Sequence, residues 1–130
     1  IAYRTDLAEG SEVVHNDLRS RFKKQEPKVI AAMQQFGELS TQCYQGLRQG
    51  EAIGDLLDQN FDLRCSIMNI SKANQQMVQL ARSVGASAKF TGSGGAIIGT
   101  YADKNMYQSL HRILSQHQIA ILQPIIVNTP

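Results

Sequence analysis

Ala86-Ser87-Ala88-Lys89-Phe90-Thr91-Gly92-Ser93-Gly94-Gly95-Ala96-Ile97-Ile98-Gly99-Thr100-Tyr101 is the stretch on which the fold turns. Small, extended residues run to Phe90, a glycine loop covers Thr91 to Gly95, and Ala96 to Tyr101 reads as a strand. Upstream of it, apolar residues recur every three or four positions, which is the repeat of a helix. Here the period changes to that of a strand–loop–strand unit. That change makes the chain α+β rather than all-helical.

Working back from the loop, one helix begins near Ser71, carries Met77, Val78, Ala81 and Val84 inward, and stops at Gly85. Another runs from about Glu51, with Ile53, Leu56, Leu57 and Leu63 on its apolar face, and fades near Met68. A longer one starts at Pro27, whose missing N–H costs nothing in a first turn. It shows Val29, Ile30, Met33, Phe36, Ser40, Cys43, Tyr44 and Leu47 on one face and ends at Gly50. Before it, Ile1 to Leu7 reads as a short edge strand and Glu9-Gly10-Ser11-Glu12 as a turn. A basic patch follows with His15, Arg19, Arg21, Lys23 and Lys24. Forward of the loop, Asp103 can cap a helix bearing Met106, Tyr107, Leu110, Ile113 and Leu114. Ile119 to Val127, broken by Pro124, reads as an edge or terminal strand. The expectation is one α+β domain over residues 1–130, its small, mainly antiparallel sheet covered on one face by helices.

Composition bounds the function. The 130 residues are 42% hydrophobic, enough for one domain with a core. Charged residues are 18%, the net charge is +2, aromatics are 6% and Trp is absent, which argues against a nucleic-acid partner. No apolar run approaches the roughly 18 residues of a membrane span, and no signal-peptide pattern opens the chain. Cys43 and Cys65 make neither a disulfide framework nor a metal site. They read as buried free thiols of a reducing compartment, which points to the cytoplasm. His15, His111 and His117 have no metal-ligand spacing.

The loop is the most informative chemical feature. Three glycines in four positions let backbone N–H groups approach an anion or shape a pocket floor; they also suit a plain turn between strands. A Walker string is absent, and Ile97 stands where a dinucleotide motif would need its last glycine. Asn60 and Arg64 share the register of Ile53 and Leu57, so two polar groups lie on an apolar face. They must find partners within the domain or look into a site. Arg64 suits bidentate binding of carboxylate or phosphate. His15, Arg19 and Arg21 form either a solvated basic face or an anion contact, and Lys89 points to solvent or site. No nucleophile elbow and no carboxylate pair stands out. Nothing reads as a self-sufficient active site.

Ala81-Arg82-Ser83-Val84-Gly85-Ala86, continuing through Gly95-Ala96, resembles the third conserved motif of the GHMP kinases, the superfamily of galactokinases, homoserine kinases and mevalonate kinases. Val14-His15-x-x-Leu18-Arg19-x-Arg21, Asn60-Phe61-Asp62-Leu63-Arg64 and Ala88 to Ala96 look closer still to the plant-type glucuronokinases. The resemblance covers essentially the whole chain. It implies the ferredoxin-like C-terminal domain of such kinases. Thr91, Gly92, Ser93, Gly94 and Gly95 would then line the active site, brace the ATP-phosphate loop and lie near the phosphoryl acceptor. Asn60 and Arg64 would face the interdomain cleft, and His15, Arg19 and Arg21 become candidates for holding an acidic or phosphorylated sugar; Lys89 is a further candidate by its position just before the loop. ATP and Mg²⁺ are the implied cofactors, bound mainly by an N-terminal domain whose glycine-serine motif and catalytic acid are not among these residues. The start at Ile1, without Met and inside an apparent strand, is what a chain cut between domains would show.

The expected function is therefore the C-terminal domain of an ATP-dependent kinase for a sugar or sugar acid. It would supply the loop and substrate-side wall and be inactive alone. The other reading is a stand-alone, non-catalytic module that binds a small anion or a protein.

Overall fold

The computed structural model describes residues 1–7 and 11–125, with side chains of the first long helix from Asn16 onward. The expected turn at Glu9-Gly10, the His15 side chain and the last residues of the expected terminal strand lie outside that description. The elements run β1 (Ala2–Tyr3), a 3-10 turn (Thr5–Leu7), α1 (Ser11–Lys23), α2 (Pro27–Gln49), α3 (Gly54–Ile67) and α4 (Lys72–Ser83). They continue with β2 (Lys89–Phe90), β3 (Ala96–Ile98), α5 (Lys104–Gln116) and β4 (Ala120–Ile121). The strands form one antiparallel sheet in the order β2-β3-β1-β4, so the α+β reading holds.

Register explains which face is buried. Phe90 pairs with Ile97, Ile97 with Ala2, and Ala2 with Ile121, giving one row across all four strands. Side chains alternate faces along a strand, so this row points one way. Phe90, Ile97 and Ala2 are buried, whereas Tyr3 and Ile98 keep 40% and 38% exposure on the other side. The helices cover the first face. Met77, Val78 and Ala81 of α4 and Leu114 of α5 join the same core, and Phe61 of α3 meets Phe90 edge-on at 5.1 Å.

The helix punctuation follows the sequence closely. Ser71 caps α4 by accepting from the Asn74 N–H, and Asp103 caps α5 by accepting from the Met106 N–H at 2.8 Å. Gly50 ends α2 in the left-handed conformation, at φ 72°.

Four expectations are corrected. The first strand is interior, not an edge, because Ala2 is small and buried between Ile97 and Ile121, and the Ile1 carbonyl accepts from the Leu122 N–H at 2.8 Å. The basic patch is a helix, α1, and Ser11 and Glu12 belong to it rather than to a turn. Its described residues are mostly exposed, so apolar periodicity gives it little signal. The deepest residues of α2 are Val29, Ala32, Leu39 and Gly46, while Tyr44 and Leu47 stay more than half exposed. Gly46 allows close approach there, since a Cβ would lie 3.2 Å from Ile53 Cγ2. Finally, Cys43 and Cys65 are free thiols, but Cys43 is half-buried and Cys65 exposed. No described helix is long and apolar enough to cross a membrane.

Candidate functional site: the glycine loop and its cations

The loop Thr91–Gly95 joins β2 to β3, and the two strands close it from below. The Thr91 N–H donates to the Ala96 carbonyl at 3.2 Å, as a hairpin requires. Gly94 and Gly95 adopt φ 150° and 75°, a backbone region that costs an L side chain free energy. Three contacts then fix the loop from outside. The Gly95 N–H donates to Asn74 Oδ1 at 2.7 Å, the Arg4 N–H donates to the Gly95 carbonyl at 2.8 Å, and Arg64 Nη1 donates to the Gly92 carbonyl at 2.7 Å. Asn74 itself is 1% exposed, and its amide also donates to Ser71 Oγ. The loop is thus tied to the first turn of α4, to α3 and to the residue after β1.

The N–H groups of Gly92, Ser93 and Gly94 form no hydrogen bond among the described residues. Three consecutive uncommitted amides in a braced turn suit the oxygens of an anion. Two cations stand beside them. Arg64 lies over the Phe90 ring at 5.3 Å, and Lys89 Nζ donates to the Phe90 carbonyl at 3.0 Å. Burial holds both the Arg64 guanidinium and the Lys89 ammonium below their ordinary values, and the Arg64 charge lowers Lys89 further. Asn60, one turn before Arg64 on α3, is half-buried, and its side chain makes no hydrogen bond among the described residues.

The structure therefore brings Arg64 and Lys89 to the loop, with Asn60 on the same helix face as Arg64. It does not do so for the α1 cations. Arg21 grips Glu26 through Nε and Nη2, each at 2.8 Å, and Nη1 donates to the Ile67 carbonyl at 2.6 Å. Arg19 is exposed and forms no ion pair among the described residues.

Two supports escaped sequence reasoning. Asn74 sits on the Met77–Val78–Ala81 face of α4, and a polar residue three positions after a capping Ser was the signal available. Asp58 accepts from the Ala88 N–H at 2.8 Å and from Arg82 Nε at 3.0 Å, while Arg82 also reaches Asp62 at 2.7 Å. Arg82 lies over the Phe61 ring as well, at 5.4 Å. This network fastens α3 to α4 and to the segment entering β2. Its signal was the Asp58, Asp62 spacing on one helix face.

A separate apolar hollow of about 350 Å³ opens beside Ile53, Leu57, Ile98, Tyr107 and Leu122, and no charged side chain lines it. Its lining is mainly apolar.

No protein-family model matches the chain. Over 90 residues, 65% of its length, it is 34% identical to probable glucuronokinase 2 and 33% identical to glucuronokinase 1, both of Arabidopsis thaliana. The chain spans about a quarter of the length of these relatives. Its fold matches L. major mevalonate kinase, solved with R-mevalonate, with TM-score 0.79 over 88% of this chain and 37% of that one, at 22% identity. It therefore shares its fold with part of a mevalonate kinase and its sequence with part of two glucuronokinases. The donor set can be compared with the needs of a nucleotide and its metal ion. Free amides and cations fit the phosphates of a nucleotide. Mg²⁺ needs oxygen ligands, and no cluster of three His, Cys, Asp or Glu side chains suited to a metal exists among the described residues. The donors on the loop side are those that suit a phosphate.

Proposed function

We propose that this domain forms the substrate-side wall of an ATP-dependent kinase whose acceptor is a sugar or sugar acid. The observation that carries the reading is the braced loop Thr91–Gly95 with its uncommitted amides, in a chain related to glucuronokinases. In that enzyme the γ-phosphate of ATP passes to an acceptor hydroxyl. Such transfer depends on positioning and on stabilising charge spread over the phosphoryl oxygens. The amides of Gly92 to Gly94 take part of that charge, and Asn60, Arg64 and Lys89 form the adjoining wall. Arg19 and His15, on α1, are second candidates for contacting an acidic substrate.

A segment exchange tests this. Arabidopsis glucuronokinase 1, with its matching segment replaced by this chain, is expected to phosphorylate glucuronic acid from ATP. The 130-residue chain alone is expected to show no turnover. A folded exchange protein without phosphorylation contradicts the reading, and turnover by the isolated chain contradicts its division of labour.

A further inference from the structure

Arg64 and Lys89 are two half-buried cations that meet at Phe90, one over its ring at 5.3 Å and the other on its carbonyl at 3.0 Å, and neither has a carboxylate partner among the described residues. The described ion pairs join Arg4 to Asp6, Arg21 to Asp17 and Glu26, and Arg82 to Asp58 and Asp62. Adjacent like charges withdrawn from water repel one another. A fold tolerates that arrangement best where a ligand anion completes it.

The donors are also arranged for an oxyanion. Arg64 commits Nη1 to the Gly92 carbonyl and leaves its Nε and Nη2 edge uncommitted among the described residues. That is the edge with which Arg21 grips both oxygens of Glu26 in this same chain. Lys89 Nζ has one acceptor among the described residues, the Phe90 carbonyl, and an ammonium carries three donors.

We propose that Arg64 and Lys89 form a two-cation clamp for a ligand oxyanion, a carboxylate or a phosphate, beside the glycine loop. The clamp deepens the kinase reading and rests on it only for the choice of a sugar acid as ligand. It gives Arg64 two tasks: it holds the anion through one edge and the loop through Nη1, so an anion in the clamp also stiffens Thr91–Gly95. It also divides the site. The loop amides face the phosphoryl being transferred, and the clamp selects acids over neutral sugars.

Calorimetric titration of the 130-residue chain at low salt reads this out, with D-glucuronate, inorganic phosphate and D-glucose as probes. Glucuronate or phosphate is expected to bind more tightly than glucose, and which of the two binds better identifies the group that the clamp takes. Lys89→Gln and Arg64→Gln should each weaken anion binding by about tenfold. Arg112→Gln, which removes an exposed arginine of α5, should change it by less than about twofold. Thermal melts establish that each variant is folded, and Lys89→Gln alone decides the matter if Arg64→Gln unfolds. Equal weakening by Arg112→Gln and Lys89→Gln overturns the clamp in favour of diffuse positive charge. So does glucuronate binding no better than glucose when phosphate does not bind. Neither result bears on turnover in the segment exchange, so the two readings fail separately.

Discussion

Asn74 carries more of the site than its size implies. It is buried, it holds the Gly95 N–H at 2.7 Å, and a Cβ at Gly94 would approach its amide to 3.1 Å. Replacing it with Ala leaves a buried N–H unsatisfied, at a cost of about 1–3 kcal/mol. The expected readout is a lowered Tm together with faster hydrogen exchange at the Gly95 amide; an unchanged Gly95 amide would detach Asn74 from the loop. Asp58 works in the same way at the other end of β2, with one carboxylate oxygen accepting from both Ala88 and Arg82. Asp58→Ala should cost about 2 kcal/mol by denaturant titration, since the hydrogen bonds lost are to a charged group. Both residues serve partners distant in sequence. Arg64 was legible because it interrupts an apolar register, and the loop because its glycines are dense. Asn74 and Asp58 were not, because their acceptor roles exist only once Gly95 and Ala88 arrive.

At the scale of elements, the helices with local stop and start chemistry were legible. Ser71, Asp103 and Gly50 act within a turn of themselves, so their caps can be read in isolation. The helix α1 escaped because it is held by a remote contact, Arg21 to the Ile67 carbonyl, and by the pair with Glu26 at the start of α2. That pair has a pH signature. Hydrogen bonding from Arg21 holds the Glu26 carboxyl below its ordinary value of 4.5. A carboxyl with a depressed folded value stabilises the fold above the unfolded value and loses that contribution as pH falls through the folded one. Tm should therefore drop below about pH 4.5, and Glu26→Gln should lower Tm at neutral pH while flattening that acid limb. An acid limb of unchanged steepness in Glu26→Gln would assign it to other carboxyls, such as Asp6 beside Arg4. The end of β3 makes a second demand. A Cβ at Gly99 would overlap the Ser87 carbonyl oxygen, where the Ser87 N–H also pairs with the Thr100 carbonyl at 3.0 Å. Gly99→Ala should destabilise by about 1–3 kcal/mol in chemical unfolding, and a neutral result would mean that the two backbones can part freely.

Across the whole molecule, the α+β class and the five-residue loop were legible, but the place of β1 was not. Ala2-Tyr3 carries no signal of being interior; Ile97 on one side and Ile121 on the other put it there. That placement matters for the site, because it brings the Arg4 N–H onto the Gly95 carbonyl and anchors the loop to the middle of the sheet. The outcome is a loop held by α3, α4 and β1 together, with Arg64 bonded to its Gly92 carbonyl and Lys89 to the Phe90 carbonyl just before it. The central claim is that this face receives a phosphorylated or acidic sugar. Backbone chemical shifts of the isotope-labelled chain, titrated with glucuronate 1-phosphate, test it most directly. The account predicts shifts concentrated at Gly92, Ser93 and Gly94 and at the residues around Arg64 and Lys89; shifts confined to the apolar hollow would contradict it.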